Sequence, residues 1–239
     1  MTLELVCLGT GHGTSHALEG LPSTAFVVQR AGEPWLLVDC GTGVIRSTLA
    51  QVGKLPRTLF ITHNHLDHSG ELPYVAKALG GRPRVLAHPD VIELLQTVRL
   101  HDAPTDQERM IAQIDWVAAD EQSQITLEEG WRFTLHPAQH GYTCCGFVLW
   151  RDEQPLFSYS ADSGYNAAYY DFLSRAPIMI VDARPNGGQY HASFAEVETF
   201  AAAHPRHTLR VVHHGGVQHA FNVPNVALWQ VGDRLTIPC

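Results

Sequence analysis

The chain has 239 residues, 45% of them hydrophobic and 17% charged, enough for one large globular domain or two smaller halves sharing a core. A net charge of −8 and a pI near 6.0 exclude a general attraction to polyanions, so extended nucleic acid is not an expected partner. There is no basic leader, no apolar run near the about 18 to 20 residues of a membrane span, and no cysteine pattern of a disulfide scaffold, so a cytoplasmic protein without a membrane partner is expected.

Strands dominate the first third. LELVCLG, TAFVVQ and WLLVDCG read as three short strands separated by glycine-rich or polar turns, and TLFIT as a fourth. SGELPYVAKALGG sets Leu72, Val75, Ala76 and Leu79 on one helical face and closes on a Gly-Gly pair. PRVLAH then reads as a strand and DVIELLQTVRL as a helix. The strands resume with IDWVAA, SQITL, WRFTLHPA, CGFVLW and PLFSYSA. In the last third NAAYYDFLSR is helical, PIMIVDA is a buried strand, and SFAEVETFAAAH is a helix with Phe194, Val197 and Phe200 on one side. HTLRVVHH is a strand, and VALWQVGDRLTIP reads as a closing hairpin. Two sheets face to face with helices outside, in a single domain over residues 1–239, would account for this α/β order.

One segment stands out chemically. THNHLDH, residues 62–68, follows the strand-like TLFI and carries His63, His65, Asp67 and His68. Histidine and asparagine are common in polar loops. Alternate residues of an extended chain share a face, however, so His63, His65 and Asp67 can converge. Neutral imidazole and carboxylate suit zinc and similar first-row ions.

THNHLDH resembles the signature of the metallo-β-lactamase superfamily, and matching positions follow in order: His140 in LHPAQHGY, Asp162 in FSYSADSGY and His213 in LRVVHHGG. The resemblance runs from LGTGHG to GDRLTIP and implies an αββα sandwich. It implies two divalent metal ions, zinc first with manganese or iron as alternatives. His63, His65 and His140 would hold one ion, Asp67, His68 and His213 the other, with Asp162 bridging. His214 is the alternative to His213, which is favoured because the aliphatic run LRVV ends there. His136 is expected in the core or supporting a ligand. Two such ions generate a hydroxide at neutral pH and polarise the bond it attacks, and Asp67 is also a candidate to orient that hydroxide.

IVDARPNGGQYHASFAEVETFAAAHPRHTLRVVHH is further similar to a region of ribonuclease Z and its small cyclic phosphodiesterase relatives. In those proteins an acidic residue after a buried strand pairs with a histidine opening a helix, which places Asp182 and His191 in catalytic roles. A carboxylate-oriented imidazole could protonate a leaving oxygen; the plainer role for His191 is a helix cap beside Ser193. LGTGHGTS and VDCGTG match the same branch, though each is also an ordinary tight turn. Tyr142, Tyr165, Tyr169 and Tyr170 follow the metal positions and are candidates for stacking, or else core and rim. The adjacent Cys144 and Cys145 read as small buried side chains.

The resulting expectation is a dinuclear metallohydrolase acting on a small phosphodiester as its small-molecule partner, with homo-oligomerisation open. A carboxylic ester, lactone or thioester hydrolase on the same metals is the alternative enzyme. A metal-binding or ligand-sensing protein without turnover is the non-enzymatic one.

Overall fold

The computed structural model describes residues 2–79, 82–101, 107–120, 124–128 and 130–239. Runs of β-branched and aliphatic residues build two sheets, each the frame of one compact unit: Met1–Ala118 with Gln230–Cys239, and Ala119–Trp229.

The first unit holds β1 (Thr2–Gly9), β2 (Ala25–Arg30), β3 (Glu33–Val38), β4 (Thr58–Phe60), β5 (Arg84–Ala87) and β6 (Asp115–Ala118) side by side in that order. The C-terminal strand Arg234–Pro238 lies antiparallel to the outer side of β1. β1 to β3 are antiparallel, and Ala31 and Gly32 make the β2–β3 turn at φ 52° and 80°, the turn sense that suits sheet twist. From β3 to β6 the pairing is parallel, which demands crossovers. The helices are α1 (Ser15–Glu19), α2 (Val44–Val52), α3 (Leu66–Ser69), α4 (Leu72–Ala78), α5 (Pro89–Leu94) and α6 (Gln107–Gln113). A π-helical turn, Leu95–Arg99, continues α5. Alternate residues of one sheet face, Val6, Leu8, Val27, Leu37, Leu59 and Val85, form a core with Val44, Leu72, Val75, Val91 and Leu95 of the helices. The Gly-Gly pair expected to close α4 lies outside the described residues.

α1, α2, α3 and α6 are additions to the elements read from the sequence; α3 starts after His65, so Asp67 stands on a helical turn and not in the extended chain expected there. α2 is the instructive one, because its start is capped from far away. Glu71 accepts from the backbone of Gly43 (2.8 Å) and Ile45 (2.7 Å), so no local capping signal precedes the helix.

The second unit contains β7 (Gln124–Glu128), β8 (Trp131–Pro137), β9 (Cys145–Arg151), β10 (Gln154–Tyr159), α7 (Ala167–Leu173), β11 (Ile178–Arg184), the two-residue β12 (Ala192–Ser193), α8 (Phe194–Ala203), β13 (Thr208–Val212) and β14 (Val226–Leu228). The sheet runs β14-β13-β11-β10-β9-β8-β7, with β12 beside β11. It is antiparallel from β7 to β10 and parallel from β10 to β14. Ser123 of the SQITL strand lies outside the described residues. Phe194, Val197 and Phe200 are buried as expected, in a core with Tyr169, Tyr170, Met179, Val181, Leu209 and Val211. A capping box starts α8: Ser193 Oγ accepts from Glu196 N (3.2 Å) and the Glu196 carboxylate accepts from Ser193 N (2.8 Å).

The expected terminal hairpin does not form. Val226–Leu228 pairs in parallel with β13, whereas Arg234–Pro238 pairs with β1. Gly232 and Asp233 do turn the chain, but their hydrogen bonds go to Cys7, at 2.9 Å and 3.0 Å, and this steers the strand to a distant partner. All five cysteines are free, and Cys144 and Cys145 are buried. Among the described residues no helix is long and apolar enough to cross a membrane.

Leu59 lies fully buried on central β4, while Leu49 of α2 is 47% exposed. Leu59→Ala is expected to cost about 2–5 kcal/mol and Leu49→Ala no more than about 0.5 kcal/mol. Urea-denaturation midpoints measure the contrast; equal shifts would refute the assigned core.

Candidate metal centre

In the first unit the donors follow β4. Parallel register sets Val38 opposite Phe60, so the residues just beyond each strand meet as well. Asp39, with φ 61°, accepts from Thr62 N at 2.9 Å, from Thr62 Oγ1 at 3.0 Å and from His68 Nδ1 at 2.8 Å. Burial pushes the Asp39 carboxyl up, and the His68 and Thr62 contacts pull against that rise. With its Nδ1 held by a carboxylate, His68 presents Nε2 as its lone-pair donor. His63 stacks near it, ring centroids 4.2 Å apart, and His65 lies 4.6 Å from His63. Asp67 is held by Gly13, whose backbone N–H donates to Oδ2. That contact gives the LGTGHG loop a purpose: it hands a backbone donor to the metal loop. Gly41 is forced for a related reason, because a Cβ there would collide with the Asp67 carbonyl. From the far side Arg99 grips the same loop, Nε donating to Ser69 Oγ (2.9 Å) and Nη2 to the Asn64 carbonyl (2.6 Å).

In the second unit the donors gather at the carboxyl ends of parallel strands, the usual place for sites in open α/β sheets. Asp162 follows β10, Asp182 sits near the end of β11, and His213 follows β13. Register puts Asp182 opposite Val212, next to His213. His213 Nε2 lies 3.4 Å from Asp162 Oδ2, and its Nδ1 3.1 Å from Asp182 Oδ1. The other Asp182 oxygen accepts from His191 Nδ1 at 2.7 Å and from Ser163 N at 3.0 Å. Asp162, Asp182, His191 and His213 each offer an atom within 4.8 Å of the others, a grouping able to hold a metal ion. Three contacts already occupy the Asp182 oxygens, however, which suits it to orienting imidazoles. His140 lies on the turn after β8, its ring centroid 5.5 Å from that of His191. Its turn is fixed by Gln139 N to Ser163 Oγ (3.0 Å) and Gly164 N to Gln139 O (3.0 Å).

The candidates left over from the sequence sort themselves. His214 turns away, its Nε2 3.0 Å from the Trp229 carbonyl oxygen, and burial lowers its pKa. His136 packs on Tyr169 and Phe172. His16 Nδ1 meets the Leu21 carbonyl at 3.2 Å. Tyr169 and Tyr170 are buried, which removes them as stacking surfaces, while Tyr142 is exposed. Asp39, Gly13, Arg99 and Arg184 are the functional neighbours that sequence reading missed. Arg184 sets Nη2 3.2 Å from His213 Nδ1. Asp39 was visible only as part of the VDCGTG turn.

Three strand-end residues carry left-handed backbone: Asp39 (61°), Ala161 (51°) and His213 (61°). Two are donors or their supports, and Ala161 precedes Asp162. Such conformations cost of the order of 1–3 kcal/mol each and gather at functional sites.

Residues 3–227 match the family described as anti-Pycsar protein Apyc1. The chain belongs to this family. Among curated proteins, ribonuclease Z of Pseudomonas putida (strain GB-1) is 35% identical to this chain over 103 residues. That match covers 42% of the chain and only 30% of the relative. The metallo-β-lactamase fold protein YhfI of Bacillus subtilis superposes with a TM-score of 0.77 at 18% identity, over 98% of this chain and 99% of that one. A diphosphatase of the PhnP family gives 0.77 at 19% identity, over 98% and 97%. The Apyc1-family chain therefore has the metallo-β-lactamase fold, with two mixed sheets and helices, as its motifs imply. The ribonuclease and the diphosphatase are enzymes by name, in line with the hydrolase expectation.

Asp39→Asn keeps the shape but turns an amide toward either Thr62 or His68. Loss of such a support typically costs 10- to 100-fold in metal affinity, and about that loss in zinc binding is expected. Competition with a chromogenic chelator measures it; unchanged affinity would mean that Asp39 does not orient His68.

Proposed function

We propose that this protein is a dinuclear metal-dependent hydrolase of a small phosphodiester, acting in the cytoplasm with residues 1–239 as one catalytic domain. The observation that carries the phosphodiester reading is the 2.7 Å pair of Asp182 and His191 beside Asp162 and His213. A carboxylate that holds Nδ1 of an imidazole leaves Nε2 to carry a proton toward a leaving oxygen.

The donor chemistry fits first-row ions, zinc first. By the superfamily pattern His63, His65 and His140 would hold one ion, Asp67, His68 and His213 would hold the second, and Asp162 would serve both. Bound there, the ions would supply a water of lowered pKa and polarisation of the scissile phosphorus–oxygen bond. Around them the chain's residues hold and move protons. Asp67, fixed by Gly13, aligns the attacking water. His191 protonates the leaving oxygen from Nε2, and Asp182 stabilises the imidazolium while donating nothing itself. The same carboxylate orients His213, so one residue couples proton transfer to ligand geometry. Ribonuclease Z and the PhnP-family diphosphatase support phosphoryl chemistry, and the net charge of −8 argues for a small substrate over extended RNA.

Elemental analysis after zinc resupply is expected to return about two ions per chain; one ion or none would refute the dinuclear assignment. His191→Ala should retain its metal yet lose about 10²- to 10⁴-fold on an alkyl or nucleoside phosphodiester. A nitrophenyl phosphodiester, whose leaving group needs no proton, should lose far less. Equal slowing of both substrates would sink the general-acid role. Turnover of p-nitrophenyl acetate or a lactone, with no phosphodiester cleaved by the wild type, would favour the ester reading. Asp182→Asn is expected to weaken both zinc binding and turnover, because two histidines depend on it.

A further inference from the structure

The histidines of the metal loop are held by different means. Asp39 accepts from His68 Nδ1 at 2.8 Å, and Thr62 Oγ1 lies 2.9 Å from His63 Nδ1. The backbone around His65 is held from outside the loop. Arg99 Nη2 donates to the Asn64 carbonyl at 2.6 Å, and Nε donates to Ser69 Oγ at 2.9 Å. Ser69 Oγ in turn donates to the His65 carbonyl at 3.0 Å, which also accepts from His68 N (3.0 Å) and Ser69 N (2.9 Å). One guanidinium thus reaches both peptide groups that flank His65, the first directly and the second through a hydroxyl. Peptide groups are planar, so fixing the two also fixes the direction of the Cα–Cβ bond between them. Arg99 is itself placed with little freedom. Leu95 and Leu100 are both fully buried in the core, and Leu100 N donates to the Leu95 carbonyl at 2.9 Å across the π-helical turn. At α pitch, residues five apart would face directions about 140° apart. The π turn lets both leucines face the core and presents Arg99 to the loop. Burial lowers the Arg99 pKa, since a guanidinium is drawn out of water there. Among the described residues no carboxylate pairs with that charge, and its hydrogen bonds go to the neutral oxygens of the loop.

We propose that Arg99 is a positioning residue for one metal ion and not the other: the ion assigned to His63, His65 and His140. The inference rests on the metal reading above and adds a support that lies outside the ligand loop. Its selectivity follows from where the other donors are held. His68 keeps Asp39 and Asp67 keeps the Gly13 N–H when Arg99 is lost, and His63 keeps Thr62. His65 loses the bonds to both of its flanking peptide groups at once. A ligand aimed wrongly lowers affinity while every donor is still present. Lysine is no substitute, because the two acceptors lie in different directions and suit the rigid fork of a guanidinium.

The test uses Arg99→Met, which keeps the apolar stem and removes the fork, Arg99→Lys, which keeps the charge, and Ser69→Ala, which removes only the hydroxyl link. In metal-free protein, amide hydrogen exchange is followed at His68 and Ser69, whose N–H groups donate to the His65 carbonyl. Arg99→Met is expected to quicken it about tenfold or more, the effect of losing hydrogen bonds to a charged group. Zinc titration against a chromogenic chelator should then show one ion weakened about 10- to 100-fold and the other bound as in the wild type. Nitrogen-15 spectra of the zinc-loaded protein should show the His65 ring displaced and the His68 ring unmoved. Arg99→Lys should resemble Arg99→Met. Ser69→Ala should weaken the same ion by a smaller factor, and it carries the test if Arg99→Met folds poorly. Faster exchange with zinc affinity unchanged, equal weakening of both ions, or full rescue by lysine overturns the positioning role. Two ions held equally well by the wild type and Arg99→Met would overturn this proposal alone. A wild type that binds no zinc would overturn the metal reading itself.

Discussion

Asp39 is a carboxylate with no exposed surface, and an ion so placed costs several kcal/mol unless hydrogen bonds replace its water. Thr62 N, Thr62 Oγ1 and His68 Nδ1 replace it, which binds the end of β3 to the end of β4 and to the loop beyond. The loop then has little freedom. His68 keeps one ring orientation because the alternative strands a buried charge. Asp182 imposes the same logic on the second unit, where a single buried carboxylate receives Ser163 N, His191 Nδ1 and His213 Nδ1. Each unit is organised around one carboxylate that fixes imidazoles by charge-assisted hydrogen bonds.

Backbone strain is concentrated where those carboxylates act. Of the non-glycine residues with left-handed backbone, Ala31 and Asp152 serve two-residue turns, and Asp39, Ala161 and His213 end strands at the site. A strand that continued in extended geometry past Val38 or Val212 would send the next side chain to the opposite face. The left-handed residue breaks that alternation, and the site keeps Asp39 and His213 where their partners lie.

The sequence made some of this legible and hid the rest for identifiable reasons. THNHLDH could be read because of its donor types and their resemblance to a known signature; the extended alternation expected to carry Asp67 stops at His65, where α3 begins, and Asp67 is placed by a helical turn and by Gly13. Asp182 and His191 could be paired only through the resemblance, since nine positions separate them and the contact depends on β12 returning beside β11. Asp39 escaped because VDCGTG reads equally well as a turn, and the carboxylate's importance lies in Thr62 and His68, far along the chain. α2 escaped because its cap is Glu71, a non-local residue. The terminal hairpin failed for the opposite reason: a strong local turn at Gly232 suggested mutual pairing, while β13 and β1 supplied better partners. Tyrosines were singled out by proximity in sequence to the ligands, yet burial in the α7 core claimed Tyr169 and Tyr170 and left Tyr190 in the open.

The π-helical turn at Leu95–Arg99 has a consequence for how this chain can diverge. A π turn amounts to one residue inserted into an α-helix, and every side chain after it is rotated by about 100° relative to an uninterrupted helix. Arg99 closes that turn and reaches Asn64 and Ser69. Removing one residue of the segment before Arg99 would restore α pitch, swing the guanidinium away from the loop and leave the helix otherwise intact. A single in-frame codon before Arg99 is thus enough to lose the grip while every side chain that makes it is still present, a route separate from substitution of Arg99 itself.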